Sequence, residues 1–165
     1  MQFTIKDSGD LKAISRALRQ HADGKELRKQ LVRELRSEIA PMVAQVKAAW
    51  RSAPSRGRRG RAGPSLRSLL ARATSGQVRL TGKEAGVRIR TDGRRFPTGM
   101  RALPTYAEGT KPRWRHPVFG DRTNWVPQAP FPRFFAAVQP DQARARRGVE
   151  RAVAAIFRQI ARARS

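Results

Sequence analysis

Residues 23–52 read DGKELRKQLVRELRSEIAPMVAQVKAAWRS, and this stretch decides the fold. Large apolar side chains recur in it every three or four residues, which is the spacing of one face of an α-helix. Asp23, with a glutamate three residues on, has the form of a capping box and predicts where the helix begins. Pro41 predicts a bend, and Pro54 predicts that the helix has ended before it. The predicted buried stripe consists of Leu27, Leu31, Leu35, Ile39, Met42, Val46 and Trp50.

Shorter patterns flank this helix on both sides. Alternation of apolar and polar residues predicts a strand over 1–6, and helical spacing predicts a short helix that ends near residue 20. Two alternating runs, 77–81 and 86–90, are joined by a glycine-bearing link and predict a β-hairpin. Each hairpin strand is predicted to bury one face and to leave the other in solvent. The predicted buried residues are Leu11, Ile14 and Leu18 in the helix, and Val78, Leu80, Val87 and Ile89 in the hairpin.

The second half of the chain contains a proline-rich segment and a last helix. Prolines throughout residues 92–135 exclude a long helix there, and the aromatic rings predict an irregular segment that is ordered by packing. A last helix is predicted from Pro140-Asp141, because proline suits a first helical turn and an acid suits the positive end of the helix dipole. Its predicted apolar stripe consists of Val149, Val153, Ile156, Phe157 and Ile160.

Long helices beside a small antiparallel sheet define an α+β fold. The 165 residues are enough for one compact domain, so residues 1–165 are predicted to form a single domain. Residues 55–64 read SRGRRGRAGP and are predicted to be a flexible cationic loop, because they offer no large apolar side chain to a core.

The charge of the chain is strongly unbalanced. It carries 36 Lys and Arg against 12 Asp and Glu, a formal net charge of +24. Such a field attracts polyanions, of which nucleic acid is the first candidate and an acidic protein the second. A general bias towards arginine in the source genome is a further explanation of part of this charge.

The residue inventory argues against catalysis. Without cysteine the chain has no disulfide and no thiolate metal site. His21 and His116 lack the spacing of metal ligands, and the carboxylates form no close pair with an acid/base task. Glu108 and His116 share one segment and are a candidate acid/base pair, but we favour the interpretation that both orient backbone. We therefore predict no enzymatic activity, no cofactor and no metal. The sequence contains no run of about 18 apolar residues, so no membrane span is predicted.

The cationic loop contains Arg56, Arg58, Arg59 and Arg61. One interpretation is a flexible arm that contacts DNA phosphates without reading sequence. The other is a solvated loop with no specific partner. No zinc finger, helix-turn-helix spacing or RNA-stacking motif accompanies it, so any contact with DNA is expected to be with the backbone.

Residues 103–135 contain the most distinctive sequence motifs of the chain. Tyr106 is followed by the turn Gly109-Thr110. A run Trp114-Arg-His116-Pro-Val-Phe119-Gly120 comes next, and then Trp125-Val-Pro-Gln and the step Pro130-Phe131 towards the last helix. Long irregular segments of this kind inside compact domains are usually functional or form interfaces.

In these motifs the chain resembles the neck and tail-completion proteins of long-tailed bacteriophages, in the form found in actinobacterial phages. The resemblance covers the whole chain in the order of its elements, and only residues 103–135 at the level of motifs. The Arg-Gly stretch 55–64 departs from the family, in which the linker is usually shorter, so its role is not inherited from the resemblance.

The resemblance implies a structural virion protein at the head–tail junction or upper tail, made in the host cytoplasm. Such proteins form closed rings, most often hexamers, around or near the DNA channel, next to other neck and tail proteins. We therefore expect the loop arginines to face the channel or genomic DNA. The residues expected at the contact between sister subunits are Tyr106, Trp114, His116, Phe119, Trp125 and Phe131.

Two other classes of protein remain as alternatives. A free-standing, non-specific DNA-binding protein fits the charge, although the arginines are spread over every predicted helix instead of one compact face. A small virion-borne enzyme would need a carboxylate pair or a metal site, and the sequence shows neither.

Overall fold

The computed structural model describes residues 1–6, 10–54, 65–82, 85–110, 113–118 and 121–162. Within these ranges the helices are α1 (Asp10–Gln20), α2 (Gly24–Arg51), α3 (Leu66–Ala73), α4 (Leu103–Ala107), α5 (Phe134–Val138) and α6 (Gln142–Arg162). The strands are β1 (Gln2–Lys6), β2 (Thr74–Arg79), β3 (Gly86–Thr91), β4 (Trp114–Val118) and β5 (Asp121–Gln128). Short 3-10 helices occupy Gly93–Arg95 and Gln139–Asp141.

The predicted α+β class is confirmed. β3 lies between β1 and β2 in a three-stranded antiparallel sheet, and β4 and β5 form a separate two-stranded ribbon. The predicted hairpin over 77–90 corresponds to β2 and β3, with β2 beginning three residues earlier, directly after α3. The helix α3 has eight residues, and Ser65 caps it by accepting a hydrogen bond from the Ser68 backbone N–H.

The contacts group the chain into two compact units, whereas the sequence predicts one domain. The helical unit contains residues 2–43, 76–89 and 140–165, and the aromatic unit contains residue 1 with 44–75 and 90–139. Each unit is assembled from stretches that are distant in sequence. A composition shift along the chain therefore does not mark the division.

The core of the helical unit is formed by the apolar stripes of α1, α2 and α6 together with residues of the sheet. Leu31, Leu35 and Ile39 of α2 lie in one buried cluster with Leu80 and Val87. The predicted stripes explain this packing, since each helix buries one face at a spacing of three to four residues. The rest of the cluster consists of Leu11, Ile14, Leu18, Val149, Ala152, Val153, Ile156 and Ile160.

Three sequence predictions for side chains of this unit need correction. Arg88 was expected in solvent but is only 4% exposed, because β3 is the central strand of its sheet and is buried along most of its length. Phe157 was expected in the core but is 36% exposed, since it lies one helical step beyond Ile156 at the edge of the stripe. Leu27 is only partly buried against the core.

The aromatic unit is organised around Trp50, the last residue of the α2 stripe, which is fully buried. Its ring meets Phe131 edge-on, with centroids 6.2 Å apart and planes at 89°. The indole N–H donates to the Thr91 hydroxyl at 3.4 Å, and the Thr91 and Thr74 hydroxyls are 2.9 Å apart. Because Thr74 donates its own hydrogen to the Leu70 carbonyl at 2.9 Å, Thr91 is the donor to Thr74. All these buried polar groups are thus satisfied in one chain of hydrogen bonds.

Candidate assembly surface

The turn Gly109-Thr110 ends α4 as a Schellman motif. The backbone N–H of Gly109 donates to the Tyr106 carbonyl at 3.1 Å, and that of Thr110 donates to the Thr105 carbonyl at 3.2 Å. Gly109 has φ +104°, a conformation that favours glycine because other residues place a Cβ against the backbone there. The motif in which Tyr106 is followed by the turn Gly109-Thr110 is therefore a sequence signal for the end of a helix.

Glu108, at the end of α4, fixes the start of α5. Its carboxylate accepts the backbone N–H groups of Arg133, Phe134 and Phe135, each at 2.9 Å. A further backbone bond, from the Phe131 N–H to the Ala107 carbonyl, is 2.8 Å long. Hydrogen bonds to a carboxylate are stronger than neutral ones, so this contact firmly joins two stretches separated by more than twenty residues. We name it the Glu108 clasp.

The clasp bears on the two interpretations of Glu108. Both carboxylate oxygens accept backbone N–H groups, so Glu108 orients backbone, as the favoured interpretation predicts for it. The side chain of His116 is not among those described, and its backbone lies in β4.

The ribbon of β4 and β5 lies where the sequence predicts irregular backbone, so that prediction is wrong over 114–118 and 121–128. Trp114 pairs with Gln128 and Pro117 with Trp125, and the register shifts between Pro117 and Val118. Proline lacks the N–H that a sheet interior needs. A ribbon of two strands tolerates Pro117 and Pro127 because each strand has one edge that pairs with nothing in the ribbon.

One face of the ribbon is open to solvent. Arg115, Thr123, Trp125 and Pro127 share this face by strand alternation and by pairing, and all four are exposed. Trp125 is 43% exposed, and the Arg115 guanidinium donates to its carbonyl oxygen at 3.4 Å. We call these four residues the ribbon face. On the opposite face, Val126 and Gln128 are half-buried.

The structure treats the six predicted contact residues differently. Trp125 is exposed, and Tyr106 is half-buried in α4. Phe131 is only 9% exposed and packs on Trp50, so its ring serves the core and offers little surface to another subunit. Trp114, like His116, is described only through its backbone in β4, and Phe119 lies outside the described residues, as do Arg56, Arg58, Arg59 and Arg61.

Asp92 is a second carboxylate of the aromatic unit that fixes backbone. It caps the 3-10 helix Gly93–Arg95 by accepting the Arg94 backbone N–H at 3.0 Å, and it forms an ion pair with Arg90 at 3.2 Å. The Arg94 backbone N–H, helped by its side chain and by Arg90, holds the pKa of Asp92 below its usual value of 3.8. Asp92 and Glu108 thus orient the chain, and Asp121 is the remaining acid of this unit.

Within the described ranges, no group of three or more His, Cys, Asp and Glu side chains could hold a metal ion. Over the same residues, no helix has both the length and the apolar character needed to cross a membrane.

Comparison of the chain with protein-family models, with curated proteins and with solved structures finds no match.

Sequence reasoning missed the Glu108 clasp and the ribbon face. The sequence shows Glu108 only as an acid in the same segment as His116, and its three backbone partners lie in a different stretch of the chain. The motif after Tyr106 held a usable signal, since a glycine two residues beyond a helix end is typical of a C-cap. The ribbon had a weaker signal in Trp125 and Val126, which are residue types that favour strands, but the prolines obscured it.

Proposed function

We propose that the chain is a structural subunit of the head–tail connector or upper tail of a long-tailed bacteriophage. In this role copies of the chain form a closed ring around or near the DNA channel, beside other neck and tail proteins. The resemblance of residues 103–135 motivates the proposal, and the ribbon face is the observation that carries it.

The ribbon face supports an assembly role on physical grounds. An isolated two-stranded ribbon is only marginally stable in water, and packing against another surface stabilises it. Large aromatic side chains such as Trp125 are the residues that most often dominate protein contacts. In a ring the contact is heterologous, so the ribbon face of one copy meets a different surface of the next.

The net charge of +24 gives the proposed ring its second property. Copies of so basic a chain repel one another, so we expect the free subunit to be monomeric and to assemble on a template such as a neighbouring ring. Arg56, Arg58, Arg59 and Arg61 are proposed to face the channel or the DNA. The proposed role is structural and needs no catalysis, cofactor or membrane.

The test is complementation of a phage that lacks this gene. Supplied in trans, the unchanged chain restores complete particles, and the variant Trp125→Ala yields unjoined heads and tails by electron microscopy. Phe157→Ala is the matched control, because Phe157 is a comparably exposed aromatic residue on α6 of the helical unit. The proposal would be excluded if purified particles lack the chain altogether, or if Trp125→Ala restores complete particles as well as the unchanged chain does.

A free-standing, non-specific DNA-binding protein is the second candidate, and the net charge of +24 favours it. The distribution of that charge does not, because exposed basic side chains occur on α1, α2 and α6 alike and not on one compact face. This candidate is supported if the chain binds duplex DNA with strong salt dependence and is missing from purified particles.

A further inference from the structure

One flank of α2 in the helical unit carries a dense group of cations. Arg28, Lys29, Arg33 and Arg36 are exposed and, with the half-buried Val32, line an open depression of about 510 Å³. At 3.6 residues per turn the four cations fall within an arc of about 140°. We call these four residues the α2 basic flank.

Among the described residues, only one of the four cations of this flank has a carboxylate partner. Lys29 pairs with Glu26 at 2.7 Å in an exposed contact, but among the described residues Arg28, Arg33 and Arg36 have no carboxylate partner. The later carboxylates of α2 point elsewhere: Glu34 accepts from Gln30 at 2.8 Å, and Glu38 lies 3.7 Å from Arg151.

The helix α6 is a useful comparison, because it carries six arginines in 21 residues against four in the 28 residues of α2. Both helices hold like charges three and four residues apart, and like charges at these spacings destabilise a helix. In α6 three arginines have a carboxylate partner: Arg144 with Asp141 at 3.3 Å, Arg146 with Glu150 at 3.2 Å and Arg151 with Glu38 at 3.7 Å. On the α2 flank only Lys29 of the four cations has one among the described residues. The repulsion on the flank is therefore less compensated within the chain, and an anionic partner would compensate for it.

The dimensions of the flank indicate which anion. Arg28 and Arg36 are eight residues apart, which is about 12 Å along the helix axis. The major groove of duplex DNA, bordered by two phosphate backbones, is also about 12 Å wide. Val32 and four cations offer no amide or carboxylate to distinguish bases. The depression is open, so it suits an extended polyanion and not an enclosed small molecule.

We propose that the α2 basic flank binds the phosphate backbone of double-stranded DNA without sequence preference. The proposal concerns the helical unit alone and does not depend on ring formation through the ribbon face. It also adds a second contact surface to the one proposed at Arg56, Arg58, Arg59 and Arg61.

The experiment compares two double variants of the full chain by fluorescence anisotropy with a labelled 20-base-pair duplex over a series of salt concentrations. Arg33→Gln/Arg36→Gln removes two charges from the flank. Arg147→Gln/Arg158→Gln removes two exposed charges from α6, where the two positions are eleven residues apart. Glutamine is a good helix former, so both variants are expected to fold, and circular dichroism checks this.

The flank variant is expected to lower the slope of log affinity against log salt by about 2, one unit for each lost phosphate contact. The control is expected to change the slope by less than about half as much. The proposal is overturned if both variants weaken binding equally, which would indicate the overall field and not a site, or if the flank variant binds like the unchanged chain. Tight binding of polyglutamate, lost in the flank variant, together with no binding of DNA would instead identify an acidic protein as the partner.

Discussion

In the helical unit, three helices each bring one apolar stripe to a shared core with the sheet. In the aromatic unit, by contrast, short helices and a two-stranded ribbon are held by buried rings and by directional hydrogen bonds. The carboxylates of Glu108 and Asp92 accept backbone N–H groups, and the Thr91 and Thr74 hydroxyls link the Trp50 indole to the Leu70 carbonyl. The first construction depends on apolar area and tolerates changes in polar surface. The second depends on a few directional contacts, so a single polar substitution there should have consequences that are unusual elsewhere in the chain.

The largest effect is expected in the core of the helical unit. Leu35 is fully buried, and Leu35→Ala should lower the free energy of unfolding by about 3 kcal/mol through lost burial and a residual cavity. Urea denaturation measures this. Ser37→Ala, at an exposed position of the same helix, is the control and should change stability by less than about 0.5 kcal/mol. A loss below about 1 kcal/mol for Leu35→Ala would mean that the stripe is not a packed core.

Substitution of Glu108 tests whether the aromatic unit depends on a few directional contacts. Glu108→Ala leaves three backbone N–H groups without their acceptor and should lower stability by about 2 kcal/mol. Glu150→Ala, which removes an exposed acid paired with Arg146, should cost less than about 0.5 kcal/mol. Equal losses for the two variants in thermal or urea unfolding would show that the aromatic unit does not depend on directional contacts.

A smaller effect is expected at the helix end beside the clasp. Gly109→Ala forces a Cβ into a backbone conformation at φ +104° and should lower stability by about 1 kcal/mol. Gly109→Asn should lose less, because asparagine tolerates left-handed backbone better than alanine. The melting temperature is expected to be highest for the unchanged chain, lower for Gly109→Asn and lowest for Gly109→Ala. The reverse order would contradict the Schellman motif at Gly109.

The smallest effect is a dependence on pH. Because the pKa of Asp92 is lower in the folded chain than its usual value, its charged form contributes stability above that usual value and loses it as the pH falls through the folded pKa. Asp92→Asn keeps a cap acceptor without the charge. Its deficit at pH 7 should be below about 1 kcal/mol and should shrink as the pH falls below the usual pKa of 3.8. A deficit that stays constant as the pH falls through this range would exclude this account.

The sequence predicted the helical unit well because its signals are periodic. The α2 stripe from Leu31 to Trp50 needs only helical spacing to be seen, and the structure buries all six of its later members. Arg88 was misplaced because strand alternation does not reveal which strand is central. The surroundings of a strand depend on neighbours that the local pattern does not contain.

The aromatic unit was harder to predict because its contacts are neither periodic nor local. Nothing near Glu108 in sequence indicates that its acceptors are used by the backbone of residues 133–135. Pro117 and Pro127 counted against strands, although a free ribbon edge accommodates them. Of the expected contact residues, Trp125 is exposed while Phe131 is buried, and both are aromatic residues within two positions of a proline. Exposure therefore did not follow from residue type.

The helical unit is built from three stretches of chain, and this has a consequence for its synthesis. Leu35 and Val149 share one core, and at about 5–20 residues per second a ribosome needs roughly 6–23 seconds to make the chain between them. During that interval the apolar faces of α1 and α2 lack the α6 residues that pack against them in the folded chain. We expect the nascent chain to engage a chaperone such as a ribosome-associated holdase, and ribosome-bound chains stalled before residue 140 should be far more protease-sensitive than chains stalled beyond the end of α6.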